Sequence, residues 1–137
     1  MAPPVPEQRL KEIADQACDA ALSSATAYDH TSCAKWNEGI IHKILESVVS
    51  DTSVKDGPSP YKFAVNSTII QHTAPLVSET TQEPDQEAAH SKAGRRGMHS
   101  AAAAFWNSEK DGMWSTKYEG GEAKGMDVVL TVMWIAV

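Results

Sequence analysis

Two segments near the start of the chain place apolar residues at steps of three and four, the spacing of one face of an amphipathic helix. The first segment follows Pro6, and its apolar positions are Leu10, Ile13, Ala14, Ala17, Cys18 and Ala21. The second begins near Asp29, a favourable N-cap residue, and its apolar positions are Cys33, Trp36, Ile40, Ile41, Ile44, Leu45 and Val48. Two amphipathic helices are therefore predicted, and each needs an apolar layer to cover.

The second half of the chain has the alternating pattern and the β-branched and aromatic content that are typical of strands. Residues 61–70 form the first such run. Residues 113–118 and 127–135 form two more, with Gly120-Gly121 between them. These two runs are predicted to form a hairpin, and the apolar last strand is expected to be central and buried on both faces.

Two segments carry weak or contradictory signals. Residues 73–97 are rich in Ser, Thr, Glu, Gln and Pro and are predicted to be a long disordered loop, and residues 1–6 a disordered N-terminus. Residues 98–106 fit a helix and a strand equally well: the alanines at 101–104 are strong helix formers, whereas Phe105 and Trp106 suit a strand that leads into a turn. Residues 7–137 are predicted to form one domain.

The negative net charge of the chain argues against two classes of partner. Twelve Lys and Arg against 18 Asp and Glu give a net charge of −6. Nucleic-acid binding and docking on anionic membranes both need clustered positive charge, so neither is expected. The two cysteines form no CxxC pair, and the N-terminus has neither the basic region nor the apolar run of a signal peptide. A cytoplasmic protein is the expectation.

Residues that could carry chemistry do not form a recognisable motif. The five histidines are scattered, with no pair at the spacing that presents two imidazoles to a metal ion. The sequence has no nucleophile motif of the GxSxG type. We therefore expect no cofactor, metal or small-molecule substrate. One enzymatic alternative stays open, a thiol-dependent enzyme that uses Cys33 beside His30.

Three segments resemble the Tctex-type dynein light chains. They are Ala27-Tyr28-Asp29-His30 with Trp36 shortly after it, residues 60–71, and Phe105-Trp106-Asn107-Ser108 followed by Asp111-Gly112. The last of these is the most specific. Two departures from the family pattern are a much longer connection between the first two strands and the run of alanines in the second strand.

The resemblance implies an α+β fold in which two helices pack on a mainly antiparallel, four-stranded sheet. It also implies a symmetric homodimer in which the second strand, residues 98–106 here, is exchanged into the partner's sheet. A tether of roughly 25 residues reaches up to about 80 Å when fully extended, so its length does not limit exchange. The residues expected at the dimer interface are His99, Ala103, Phe105 and Trp106.

The function implied by the resemblance is that of a non-catalytic light chain of the cytoplasmic dynein motor, associated with microtubules. Such a dimer binds extended segments of dynein intermediate chain, and in some cases cargo proteins, by adding them to an exposed strand edge. The expected peptide-binding backbone is that of Ala101, Ala102, Ala103, Ala104 and Phe105. The alternative within the same fold is an adaptor that works outside the motor.

Overall fold

Two helices and three strands make up the part of the chain that the computed structural model describes, residues 3–55, 57–72, 99 and 101–137. In chain order they are α1 (Glu7–Ala21), α2 (His30–Thr52), β1 (Tyr61–Gln71), β2 (Gly112–Tyr118), a 3₁₀ helix (Glu119–Lys124) and β3 (Met126–Ala136). The two predicted helices and the three clear strand predictions are confirmed. The loop predicted at residues 73–97 lies outside the described residues.

The strands form an antiparallel sheet in the order β1-β3-β2, so the last strand is central, as predicted. Its burial alternates along the strand, however, and only one of its faces is closed within the chain. The expected fourth strand is also absent from the described sheet. Residues 101–104 form neither helix nor strand, because nothing in the described part of the same chain pairs with them.

The core lies between the helices and one face of the sheet. α1 packs on α2 and on β2, while α2 packs on β1. The buried side chains from these elements are Leu10, Ile13, Ala14, Ala17 and Cys18 of α1, Ile40, Ile44 and Val48 of α2, and Met126, Val128, Leu130, Val132 and Trp134 of β3. Val5, which belongs to the segment predicted to be disordered, is also buried in this core.

Polar side chains fix the helix ends. The carboxylate of Asp29 accepts a hydrogen bond from the Thr31 amide at 3.2 Å, so the predicted N-cap of α2 is confirmed. At the C-terminal end of α1, the Lys124 ammonium donates to the carbonyl oxygens of Leu22 and Ala25 at 2.8 and 2.7 Å. A cation at this position satisfies carbonyls that have no partner within the helix and also complements its dipole.

The connection between β2 and β3 differs from the tight glycine turn expected from the sequence. The 3₁₀ helix occupies Glu119–Lys124, and the reversal is completed by Gly125 in the left-handed region with φ of 72°. A side chain at Gly121 would approach the Met126 carbonyl oxygen to 2.7 Å. The close approach of the backbone at Gly121 and the positive φ at Gly125 therefore explain why glycine occupies these two positions.

Replacing Gly39 with alanine is expected to stabilise the protein. Gly39 lies inside α2, where alanine is favoured by up to about 1 kcal/mol, and an added Cβ would meet only the Ala21 Cβ at an ordinary contact distance of 3.7 Å. Urea unfolding should show an increase of about 0.5–1 kcal/mol in the free energy of unfolding. The matched variant Gly125→Ala should lower it, because alanine is strained at positive φ. Equal effects of the two changes would contradict this account.

Candidate interaction site

The face of the sheet turned away from the helices forms a broad surface, which we call the open face. Among the described residues, no helix covers it. Its side chains are Lys62, Ala64, Asn66, Thr68 and Ile70 of β1, Met113, Ser115 and Lys117 of β2, and Asp127, Val129, Thr131, Met133 and Ile135 of β3. Met113 and Ile135 are 38% and 40% exposed, large values for apolar side chains in a folded chain.

The open face is apolar at one end. The sheet register places Ala64, Met133 and Met113 side by side across all three strands, with Ile135 in the next row beside Lys62 of β1. The central Met133 is half-buried. The following row across the sheet consists of Asn66, Thr131 and Ser115, so the apolar patch is bounded by polar side chains.

The opposite end of the open face carries paired charges. Asp127 Oδ1 lies 2.9 Å from His72 Nε2 and 3.1 Å from Lys117 Nζ. Burial raises the pKa of Asp127, but the interactions with His72 and Lys117 outweigh it, so this pKa lies below its ordinary value. The hydrogen bond to Asp127 raises the pKa of Lys117 in turn. The surface is thus divided into an apolar half and a charge-paired half.

The outer edge of β2 is unpaired in the described part of the chain, because this strand has β3 on one side and ends the sheet on the other. Adjacent backbone amides of an antiparallel strand point in opposite directions. At the end of β3, the Val137 amide donates to the Pro60 carbonyl oxygen on the β1 side, whereas the Ala136 amide points to the β2 side. The even-numbered residues of β3 therefore pair with the even-numbered residues of β2 that lie opposite them. By the same alternation, the backbone groups of Met113, Ser115 and Lys117 point outward and can pair with another strand.

A groove of about 480 Å³ runs between α1 and β2 on the helix side of this edge. It is lined by Glu7, Gln8, Lys11, Glu12 and Asp15 of the helix and by Trp114, Ser115 and Thr116 of the strand. Lys11 pairs with Asp15 at 3.4 Å, and Glu12 lies 3.6 Å from Arg9. With three carboxylates and one ammonium group, the groove has an acidic wall that the sequence analysis did not identify.

Apart from His99, the residues predicted to bind peptide and to form the dimer interface lie on one segment, residues 101–106, which we call the arm. The alanines at 101–104 are exposed, Phe105 is fully exposed, and Trp106 is half-buried. His99 is exposed as well. The structure therefore places these predicted site residues outside the sheet and without the strand pairing expected of them. An aromatic ring with no burial in its own chain is the most unusual feature of the arm.

A buried carboxylate holds the base of the arm. Asp111 is 7% exposed, and its Oδ2 accepts a hydrogen bond from the Asn107 amide at 2.8 Å, while its Oδ1 accepts one from the Ala136 amide at 2.7 Å. The Asn107 carbonyl oxygen in turn accepts from the Asp111 amide at 2.8 Å. The sequence indicated a turn at Asp111-Gly112 but not this double contact, since a backbone partner 25 residues away leaves no local signal.

The thiol alternative finds limited support in the geometry. Cys33 Sγ lies 3.4 Å from the Asp29 carbonyl oxygen, while Nδ1 of His30 is 2.9 Å from the Tyr28 hydroxyl. His30 is thus partnered by a phenol. Burial, reinforced by the neighbouring Asp15 and Asp19, raises the pKa of the Cys18 thiol to about 12, which keeps this sulfur protonated.

The described residues contain no group of three or more His, Cys, Asp or Glu side chains arranged to hold a metal ion. In the same part of the chain, no helix combines the length and the apolar character that a membrane span needs.

The chain is similar in sequence to known proteins over almost its whole length. The chain matches the Tctex-1 family over residues 4–135 and belongs to that family. It is also 34% identical over 137 residues to a protein of Schizosaccharomyces pombe (strain 972 / ATCC 24843) named "Dynein light chain Tctex-type", and the match covers the whole of both chains. The family resemblance expected from the sequence is thereby confirmed.

Proposed function

We propose that this protein is a non-catalytic, dimeric light chain of the cytoplasmic dynein motor. It binds extended segments of dynein intermediate chain, and also cargo proteins, and so supports microtubule-based transport in the cytoplasm. Membership of the Tctex-1 family and the name of the S. pombe relative support the assignment to dynein. The proposal requires no cofactor, nucleic acid, membrane or small-molecule substrate.

The observation that carries the proposal is the exposed arm next to an unpaired strand edge. Phe105 has no burial in its own chain, and the outer edge of β2 has backbone groups without strand partners in the described residues. Exchange satisfies both needs at once: residues 98–106 of one copy are added to an edge of the other copy's sheet, and the reverse. Exchange of an identical element between two copies is a low-cost route to a dimer.

The open face supplies the second part of the dimer interface. Obligate dimers bury apolar surface at the centre of the contact and keep polar groups at its rim. The patch of Ala64, Met113, Met133 and Ile135 meets the first requirement, and the paired charges around Asp127 suit the rim. The patch also lies at the end of the sheet from which the arm departs.

The exchanged strand becomes the new edge of each sheet and offers its outer backbone to a guest. We assign this role to the backbone of residues 101–105, because small alanine side chains allow an incoming strand to approach closely. The acidic wall of the α1 groove, with Glu7, Glu12 and Asp15, lies beside β2 and adds to the net negative charge of the chain. Segments with basic or neutral residues are therefore the guests that fit best.

The test is a titration of purified full-length protein with a peptide from dynein intermediate chain. Light scattering should give twice the mass of the 14.8 kDa chain, and calorimetry should give two peptides per dimer. A peptide with proline at alternate positions is the control, because it lacks the amide donors that strand addition needs. A monomer that binds no peptide at millimolar concentration would overturn the proposal. Recovery of intermediate chain with tagged protein from cells tests the link to the motor.

A further inference from the structure

The sheet of each chain ends in two strands, and one exchanged arm can cover only one of them. In the described residues the strand order is β1-β3-β2, so the outer edges of β1 and β2 both lack a strand partner there. A partner copy supplies a single arm to each sheet of the proposed dimer. One edge of each sheet therefore stays open after exchange, with backbone groups that can pair with a further strand.

The helix beside each edge differs in character. α2 packs on β1, and it carries the half-buried apolar side chains Ile41 and Leu45 on its flank away from α1. The opposite flank is marked by Gly39, where an added Cβ would meet Ala21 of α1. Beside β2, in contrast, α1 presents charged side chains. An arm of alanines and Phe105 carries no charge, so it fits the β1 edge better, and the β2 edge then stays open.

The β2 edge offers a regular row of backbone groups. The amide and carbonyl groups of Met113, Ser115 and Lys117 point outward from it, as the alternation along the strand requires. A lysine on an edge strand often blocks pairing with other chains. Lys117 is engaged elsewhere, since its ammonium nitrogen lies 3.1 Å from Asp127 Oδ1 and 3.5 Å from Glu122 Oε1. The outward backbone groups of β2 are therefore available to a guest strand.

The α1 groove runs along this edge, where an added strand would place every second side chain. Glu7 and Asp15 mark the two ends of its helix wall, and Trp114 of β2 lies opposite. Further along, the Tyr118 hydroxyl donates to Asp19, so the helix and the strand run side by side in the same direction. The wall is about 12 Å long at the rise of a helix. Three alternate residues of a strand span about 13 Å, so three guest side chains match its length.

The charges of the groove select the guest. Glu7, Glu12 and Asp15 contribute three carboxylates against the single ammonium group of Lys11. A guest residue opposite Trp114 would lay its side chain on the half-buried indole, whose face attracts a cation. Arginine combines an apolar stem, a planar cation and several donors for carboxylates, so it fits both the indole and the wall.

We propose that the outer edge of β2 and the α1 groove bind a second extended segment, in which arginine or lysine stands at alternate positions. This site is separate from the guest site at the exchanged strand, and it rests on the proposed function only in that the arm takes the β1 edge. Backbone pairing with β2 provides the affinity, and the groove carboxylates provide the preference for basic segments.

The probe is a fluorescent peptide of alternating threonine and arginine. It is titrated into full-length protein with intermediate-chain peptide at saturation, and binding is followed by fluorescence anisotropy. Ser115→Pro should lower the affinity at least about tenfold, because proline removes an outward amide and its ring blocks an incoming strand. The ladder to β3 does not use the Ser115 amide and keeps its bonds. Ser115→Ala is the matched control, since it removes only the hydroxyl that bonds Thr131 and should leave the affinity unchanged.

Removing charge from the groove should weaken binding of the same peptide. Glu7→Gln combined with Glu12→Gln should lower the affinity about fivefold at low ionic strength, and added salt should reduce the difference. The matched control is Glu38→Gln combined with Glu46→Gln, which removes two charges from exposed positions of α2 and should have a much smaller effect. Equal effects of the two pairs would place the peptide outside the groove. These variants also decide the matter if Ser115→Pro fails to fold.

The intermediate-chain peptide separates this site from the one in the proposed function. It should bind Ser115→Pro with normal affinity and should not displace the arginine peptide. If the two peptides compete, or if Ser115→Pro dissociates the dimer, the β2 edge belongs to the guest site or to the dimer interface, and the second site is overturned. Absence of binding to the unaltered protein, or unchanged binding by Ser115→Pro, overturns it as well. If the unaltered protein is a monomer whose binding of the arginine peptide is lost in Ser115→Pro, the proposed function fails and the second site stands.

Discussion

Replacing Phe105 with serine is expected to weaken dimer association about 10³-fold and to leave the folding of the single chain unchanged. The ring is fully exposed in its own chain, so its loss removes no packing there. In the proposed exchanged dimer each ring would be buried against the partner, and burying a phenylalanine contributes about 1.5–3 kcal/mol. Two rings per dimer account for the size of the effect. Sedimentation equilibrium over a range of concentrations measures it.

The matched control is Phe63→Ser, which removes the same ring from a position on β1 that packs against the core of its own chain. Here the free energy of unfolding of the monomer should fall by several kcal/mol, as is common for a truncated aromatic residue in a core. The contrast between the two variants separates an intersubunit role from an intrasubunit one. An unchanged dissociation constant in Phe105→Ser would place the arm outside the interface.

Local patterns in the sequence were sufficient to predict most of the helices and strands. The apolar positions of α1 repeat at the helical period, and five of the six predicted positions, Leu10 to Cys18, are buried. The cap at Asp29 was predictable because its hydrogen bonds reach only to Thr31 and Ser32. In each case the information lies within a few residues of the chain, where propensity and periodicity operate.

Features that depend on distant contacts were not predictable in the same way. The alanines at 101–104 favour helix by intrinsic preference, and the described chain gives them neither helix nor strand. The carboxylate of Asp111 links Asn107 to Ala136, a partner far away in the sequence. β3 was expected to be buried on both faces because its sequence is almost uniformly apolar, yet only the helix face is closed within one chain. A second layer from another molecule, as in the proposed dimer, would cover the apolar side chains of Met133 and Ile135.

Replacing Met133 with lysine is expected to convert the dimer to a monomer and to abolish peptide binding. Met133 lies at the centre of the apolar row, between Ala64 and Met113. A lysine here remains hydrated in the single chain, because the open face is accessible. In the dimer the ammonium groups of both copies would be buried without a carboxylate opposite them. This burial would cost several kcal/mol per copy. The dissociation constant should rise by at least about 10⁴-fold.

Gln16→Lys is the control for the added charge, since Gln16 is exposed on α1, away from the open face. It should leave both dimerisation and peptide affinity unchanged. Comparison of Met133→Lys with Phe105→Ser then separates the contribution of the open face from that of the arm. If Met133→Lys remains dimeric while Phe105→Ser dissociates, strand exchange alone holds the dimer and the open face contributes little. If both dissociate and both lose the peptide, the guest site exists only when the two sheets are joined, because its edge strand belongs to the other copy.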